Sequence, residues 1–180
     1  MTVPLGAVLC GGASRRMGVE KATLPVGGVA MARRVADALL LAGCMPVVAV
    51  GGDSQELRPL ELELVDDEFP GEGPLGGILT ALAHGAPAAV IACDLPNLKA
   101  PTIAALIDAL GLHDAAIAYT DRAEPLCAVW SPVVAAPLRA QFMAGERAIH
   151  RAIDGLDIAW VEVPPADLRN INTPDDLRSL

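Results

Sequence analysis

Short apolar runs alternate with longer helix-like segments along the whole chain. Several of these runs are continuously apolar, which is typical of strands buried on both faces of a parallel sheet. Pro101 and Pro132 stand where prolines are tolerated in the first turn of a helix. The pattern predicts strands at 5–10, 47–50, 62–65, 88–92, 115–119, 126–130 and 158–163. It predicts helices at 31–42, 75–84, 101–110, 132–143 and 148–153.

This alternation predicts an α/β fold, because strands separated by helices are joined by crossover connections that make a mostly parallel sheet between two helical layers. A length of 180 residues fits one compact domain, so we expect a single Rossmann-like three-layer domain over residues 1–180. Ligands of such sheets bind beyond the carboxyl ends of the strands. That rule selects three loops as the candidate site, at residues 11–21, 66–74 and 94–96.

Composition and charge exclude several classes of function. The net charge is −9 and no basic stripe occurs, so we expect neither a nucleic-acid nor a membrane partner. Residues 73–93 are uncharged over the length of a membrane span, but their prolines and glycines predict a turn, helix, turn and strand. No targeting pattern is found, which predicts a cytoplasmic protein. The cysteines lack metal-ligand spacing and are interpreted as buried thiols, with a catalytic thiol as the alternative: Cys10, Cys44, Cys93 and Cys127.

The first loop has the composition of a polyphosphate-binding site. Gly11 and Gly12 allow consecutive backbone N–H groups to turn inward as an anion-binding nest. Ser14 adds a hydroxyl group, while Arg16 and Lys21 add positive charges within reach of phosphates. The loop is neither a Walker A motif nor a G-x-G-x-x-G fingerprint. A tight glycine turn beside solvated arginines is the alternative interpretation.

The third loop carries a carboxylate where packing does not explain one. Asp94 directly follows a buried strand, and a carboxylate buried there without a partner would be costly. Mg²⁺ would supply that partner, because it prefers oxygen ligands and binds through one or two carboxylates plus substrate phosphates. The alternative is that Asp94 caps a helix after Pro96. The magnesium hypothesis predicts that Lys21 and Asp94 face each other in one pocket.

The second loop contains a literal G-x-G-x-x-G at residues 71–76, but it follows a later strand than a dinucleotide fingerprint does. We therefore interpret Pro74 as the start of a helix, with Gly76 and Gly77 allowing that helix to approach neighbouring backbone or a ligand closely. A nicotinamide oxidoreductase, which would need this triplet, is disfavoured. Near the end of the chain, Asn170 and Asn172 precede a capped helix start and have no local explanation.

The motifs described above resemble those of nucleotidyltransferases of the molybdenum cofactor guanylyltransferase type. The matching stretches are L-C-G-G-A-S-R-R-M-G-V-E-K at 9–21, G-P-L-G-G at 73–77, C-D-L-P at 93–96 and N-I-N-T-P at 170–174. The resemblance runs over nearly the whole chain and implies a nucleotide-diphospho-sugar transferase-like fold. It implies Mg²⁺ as cofactor, GTP as donor and molybdopterin bearing molybdenum as acceptor. It also implies contacts with proteins that deliver molybdopterin or mature molybdoenzymes.

Together, the residues and the resemblance define the candidate site. The predicted catalytic residues are Arg16, Lys21 and Asp94. The predicted nucleotide-binding residues are Leu9, Cys10, Gly11, Gly12, Ser14, Lys21, Gly51, Asp67, Gly73, Pro74, Leu75 and Asp94. The predicted metal-binding residues are Asp94, Asn170 and Asn172.

The sequence departs from the family pattern at three positions. Cys10 replaces a common Ala, and Glu20 replaces the commoner Asp before Lys21. Gly51 stands where a nucleotide-contacting Asn often occurs, so its backbone would have to substitute for that side chain. Segments 124–130 and 145–148 resemble the family's acceptor side, although a plain strand and helix start explain them equally well. The histidines at 84, 113 and 150 are assigned no role.

Two other functions stay open at this point. A sister transferase would use CTP or another acceptor in place of GTP and molybdopterin. A non-catalytic regulatory module would bind a nucleotide without turning it over.

Overall fold

A central sheet organises the protein. The computed structural model describes residues 2–11, 21–171 and 176, and the following statements concern those residues. Seven strands form the sheet: β1 (Leu5–Leu9), β4 (Val47–Val50), β5 (Glu63–Val65), β6 (Ala88–Ala92), β7 (Ala115–Tyr119), β8 (Ala123–Trp130) and β9 (Ile158–Glu162). A separate hairpin consists of β2 (Pro25–Val26) and β3 (Val29–Ala30).

The helices lie between these strands, as the alternation predicts. They are α1 (Met31–Leu41), α2 (Ser54–Leu57), α3 (Pro74–Leu82), α4 (Ala100–Leu110), α5 (Ala135–Met143) and α6 (Ile149–Ala152). Short 3-10 turns occupy Lys21–Thr23, Arg58–Leu60 and Pro132–Val134. Each predicted strand and helix is found, with β8 starting three residues earlier than expected and the first turn of the predicted 132–143 helix being 3-10. The β2–β3 hairpin and α2 were not predicted from the sequence patterns.

The strand order is β5-β4-β1-β6-β8-β7-β9. Neighbouring strands are parallel except at β8, which runs antiparallel to both β6 and β7. Leu9 pairs in register with Val50 of β4 and with Ala92 of β6, so three strands end level with one another. The prediction of a mostly parallel sheet is confirmed, and the loops after these three strands leave the sheet at one edge.

The sheet is covered on both faces, which confirms the three-layer architecture. Helices α1 and α4 pack on one face, and α3, α5 and α6 pack on the other. Gly6 in β1 permits the close approach of the first layer. A methyl group at Gly6 would lie 2.9 Å from Val47 Cγ2, 3.1 Å from Cys44 Cβ and 3.3 Å from Leu39 Cβ of α1.

The uncharged stretch 73–93 is divided between α3 and β6, as its prolines and glycines predict. Within 2–11, 21–171 and 176, no helix combines the length and apolar character needed to cross a bilayer.

All four cysteines are buried, which agrees with their interpretation as packed thiols. Burial raises the pKa of the Cys44 thiol to about 12. Burial likewise raises the pKa of the Cys127 thiol above its ordinary value. A thiol that resists ionisation is a poor nucleophile, which argues against a catalytic role for either of these two residues.

Candidate active site

Two glycines and an aspartate come together where β1, β4 and β5 end. The Gly11 N–H donates to Val50 O (3.3 Å), and the Gly51 N–H donates to Val65 O (3.0 Å). A methyl group at Gly51 would lie 3.2 Å from Gly11 Cα and 3.5 Å from Asp67 Cβ. The backbone at Gly51 also has a φ of +69°, a conformation that favours glycine. The space above Gly11 is therefore lined by backbone and by one carboxylate.

That carboxylate is held in place by its own loop and by α3. Asp67 Oδ1 accepts a hydrogen bond from the Phe69 N–H (3.0 Å) and lies 3.1 Å from the Thr80 hydroxyl oxygen. The same hydroxyl accepts from the Glu68 N–H (3.1 Å). Thr80 is only 2% exposed, and the sequence analysis did not identify it. Because Oδ1 is engaged in this way, Asp67 Oδ2 lies beside Gly11, 3.9 Å from the position of a methyl group there.

Lys21 and Asp94 form an ion pair across the site. Lys21 Nζ lies 2.9 Å from Asp94 Oδ2, although 73 positions separate them in the chain. The side chains are 12% and 21% exposed, respectively. The structure thus brings into contact the two side chains that were expected to face each other. A cation and a carboxylate that are both partly withdrawn from solvent meet at the edge where the parallel strands end.

The Asp94 loop is fixed by main-chain bonds on both sides. The Cys93 N–H donates to Leu9 O (3.2 Å), and the Ile171 N–H donates to Asp94 O (3.0 Å). The second bond brings the partly buried Asn170 beside this loop. Helix α4 begins only at Ala100, and its N-cap residue makes no side-chain capping bond. Asp94 therefore does not cap that helix, and the capping alternative is wrong.

The segment 73–75 forms the start of α3. Gly73 and Pro74 are exposed, Gly73 has a φ of +94°, and no acidic residue occupies the first turn. An uncompensated helix N-terminus favours an anion. Leu75 is fully buried, and Leu9 and Cys10 are 7% and 2% exposed, so these three residues could meet a ligand only through their backbones.

The glycines that follow Leu75 allow α3 to sit close to its neighbours. A methyl group at Gly76 would lie 2.9 Å from Phe69 Cβ, and one at Gly77 would lie 3.0 Å from Leu9 Cδ2. The close approach predicted for these glycines is therefore an approach to two side chains.

Four predicted site residues lie outside the residues that the structure describes: Gly12, Ser14, Arg16 and Asn172.

Two arginines join the 66–73 loop to the segments of α5 and α6. Arg139 Nη2 donates to Glu68 Oε2 (2.8 Å), and Arg147 Nε donates to Glu72 Oε2 (2.8 Å). The Arg147 guanidinium also stacks 3.8 Å from the centre of the Phe142 ring. The sequence analysis gave the 145–148 segment no definite role. The structure brings it against the loop that carries Asp67.

Glu146 in that segment accepts two hydrogen bonds from Arg151, at 2.7 and 2.8 Å. It also accepts from the backbone N–H groups of Ala148 and Arg147. The Arg151 side chain first, and then these N–H groups, lower the pKa of the Glu146 carboxyl from 4.5 to about 2. The turn between α5 and α6 is thus built around one carboxylate.

Known proteins resemble this chain over most of its length. A family model described as "MobA-like NTP transferase domain" matches residues 6–161. A protein of Chloroflexus aggregans named "Probable molybdenum cofactor guanylyltransferase" is 37% identical over 193 residues, covering 96% of this chain and 91% of the relative. A protein of Opitutus terrae with the same name is 35% identical over 184 residues, covering 95% and 91%.

A solved structure extends the likeness to three dimensions. Molybdopterin-guanine dinucleotide biosynthesis protein A from Archaeoglobus fulgidus superposes with a TM-score of 0.80 at 29% identity, covering 97% of this chain and 95% of that one. The likeness in sequence and in fold spans the strands and loops that bring Lys21 and Asp94 together. This chain therefore belongs to the MobA-like NTP transferase family and is a nucleotidyltransferase.

Proposed function

We propose that this nucleotidyltransferase moves GMP from GTP to molybdopterin bearing molybdenum, with release of pyrophosphate and with Mg²⁺ as cofactor. The observation that carries the proposal is the Lys21–Asp94 pair, 2.9 Å apart at the carboxyl edge of the sheet. Lys21 can bind phosphates and Asp94 can bind a metal ion, and the two side chains are in contact there. The names of the relatives, which are molybdenum cofactor guanylyltransferases, support the choice of donor and acceptor.

In this proposal the nucleoside of GTP lies over the ends of β1, β4 and β5. Gly11 and Gly51 offer backbone without side chains, and Asp67 Oδ2 lies beside them as an acceptor for a nucleoside N–H or O–H group. The exposed start of α3 at Gly73 and Pro74 attracts negative charge. Gly12, Ser14 and Arg16 complete the phosphate site through the sequence pattern alone.

The residues present fit a magnesium ion. Among the described residues, no group of three or more His, Cys, Asp or Glu side chains is arranged to hold a metal. Mg²⁺ needs no such cage, since it usually keeps one or two protein carboxylates and takes its other ligands from phosphates and water. Asp94 would hold it with Asn170 and Asn172, and the bound ion would neutralise phosphate charge.

The chemistry requires little covalent help from the protein. A terminal phosphate oxygen of the acceptor attacks the α-phosphorus of GTP in line, a new P–O bond forms, and the bond to the β-phosphate oxygen breaks. Such a transfer depends on positioning and on charge neutralisation. Lys21 therefore has to leave Asp94 and contact the triphosphate. There, Lys21 and Arg16 stabilise the negative charge that develops on the leaving pyrophosphate.

The test is pyrophosphate release from each of four nucleoside triphosphates, with Mg²⁺ and molybdopterin, followed by mass analysis of the product. We expect release with GTP only, and a product heavier by GMP. We also expect Lys21→Met to lower kcat/KM by about a hundredfold or more, roughly 3 kcal/mol of transition-state stabilisation. Release with CTP in place of GTP would refute the assigned donor. Binding of GTP without turnover of any acceptor would identify a regulatory module instead.

Three further elements of the proposal rest on the sequence and the family. They are the cytoplasmic location, the lack of a nucleic-acid or membrane partner, and contact with proteins that deliver molybdopterin or receive the product. Co-purification of the tagged protein with such partners, compared with a Lys21→Met variant, would test the last of these.

A further inference from the structure

Arg34, on the first turns of α1, is bonded to two stretches of backbone that belong to different parts of the site. Its Nε donates to Pro96 O (2.9 Å), and its Nη1 donates to Val26 O (3.4 Å). Both acceptors are main-chain carbonyls. A planar guanidinium can serve two such acceptors at once, which a lysine ammonium on a flexible stem does less well.

The two acceptors lie close in sequence to the charged pair. Pro96 is two residues after Asp94, and Val26 is five residues after Lys21. Besides the Lys21–Asp94 ion pair, backbone bonds join the Asp94 loop to β1 and to Ile171. Arg34 thus joins the segment that carries the carboxylate to the hairpin that follows the cation.

Ligand binding would affect the Arg34 hydrogen bonds and the Lys21–Asp94 ion pair differently. The 2.9 Å contact between Lys21 and Asp94 uses the two charges that the proposed reaction assigns to phosphates and to a metal. Binding of metal and triphosphate therefore removes that contact. The Arg34 bonds use carbonyl oxygens that the proposed reaction does not need, so they persist.

We propose that Arg34 is a positioning residue that keeps the Asp94 loop and the Lys21 segment in their relative places after the ion pair opens. The inference rests on the proposed function for its metal and nucleotide. It assigns Arg34 no contact with substrate.

The neighbouring residue provides a matched control. Arg33 stands on the same helix, and its Nε donates to Asp37 Oδ1 (2.9 Å) and its Nη1 to Leu60 O (3.3 Å). Neither acceptor belongs to the Asp94 loop or to the hairpin. Arg33→Gln therefore removes the same charge from the same helix, together with two hydrogen bonds and the Arg33–Asp37 ion pair (2.8 Å).

The first measurement is binding of Mn²⁺, as a paramagnetic substitute for Mg²⁺, in the presence of GTP. The bound fraction is read from the electron paramagnetic resonance of the free ion. We expect Arg34→Gln to weaken Mn²⁺ binding about tenfold, since two hydrogen bonds from a charged donor are lost. Arg33→Gln should bind as the wild type does, and Arg34→Lys should be intermediate.

The second measurement is amide hydrogen exchange, which needs neither turnover nor metal. The Cys93 and Leu98 amides flank the Asp94 loop and donate to Leu9 O and Leu95 O. These two amides should exchange faster in the Arg34→Gln variant than in the Arg33→Gln variant. The difference in exchange rate should be larger when Lys21→Met is added to both variants.

Equal effects of the two glutamine variants, or wild-type behaviour of Arg34→Gln in both measurements, would overturn the inference. Should Arg34→Gln fail to fold, Arg34→Lys decides by the same comparison. A wild-type protein that releases no pyrophosphate would overturn the proposed function, while the exchange data would still decide whether Arg34 holds the loop.

Discussion

The ion pair between Lys21 and Asp94 makes a prediction about stability that is separate from catalysis. At 2.9 Å, two unit charges in an effective dielectric of about 20 attract each other by about 6 kcal/mol. The desolvation of two side chains that are 12% and 21% exposed offsets most of this attraction. We therefore expect a net coupling free energy of about 1–2 kcal/mol in the ligand-free protein.

A double-mutant cycle measures that coupling. Urea unfolding would be followed for the wild type, Lys21→Met, Asp94→Asn and the double variant, without metal or nucleotide. Each single variant removes one of the two charges, so each should lose stability, and the double variant should lose less than the sum. All three variants should lose transferase activity, because the proposed reaction needs both side chains. The double variant would then be more stable than the sum of the two single losses implies, and it would still be inactive.

The result that refutes this reasoning is a coupling free energy within about 0.3 kcal/mol of zero, the range found for independent sites. It would mean that solvent screens the two charges despite their low exposure. A double variant that keeps transferase activity would separately remove both residues from the mechanism.

Three further predictions concern other parts of the molecule. Gly6→Ala should lower the unfolding free energy by about 1–3 kcal/mol, because a methyl group there meets three fixed atoms; an unchanged urea midpoint would contradict the close packing of α1. The low pKa of Glu146 means that its stabilising contribution is present above about pH 4.5 and is lost as the pH falls towards about 2. Glu146→Gln should therefore flatten the acid side of the stability curve measured by urea unfolding, and a parallel curve would contradict this. The native protein should react with a disulfide reagent only slowly, since Cys44 and the other thiols are buried, whereas rapid labelling of one thiol would show local opening.

The strands and helices were predictable because their sequence periods are strong. Continuous apolar runs marked the buried strands, and the prolines at 101 and 132 marked helix starts. The missed hairpin has strands of only two residues, although Gly27 and Gly28 between them, with φ of +59° and +83°, are typical of a two-residue turn. The missed α2 is a four-residue helix capped by Asp53. Such short elements give too little periodicity to detect.

The site was predictable where a charge had no other local explanation. Asp94 at a strand end and Lys21 after a glycine loop had to meet if both served one triphosphate, and they do meet. Thr80 and Arg34 were not predictable, since their partners are an aspartate 13 positions away and main-chain carbonyl groups 62 and 8 positions away. Hydrogen bonds of this kind depend on how the helices pack on the sheet, and no local sequence pattern predicts them.

Because β8 runs antiparallel to β6 and β7, the loops along this edge of the sheet differ in how well they would tolerate insertions. Around Asp67 and Asp94 the edge consists of strand-to-helix loops, so an insertion would shift the start of a helix that packs on the core. Between β7 and β8 the same edge is a tight turn at residues 120–122, which could lengthen without moving any helix. A longer 120–122 turn would therefore leave the Lys21–Asp94 pair and the helices of the core in place.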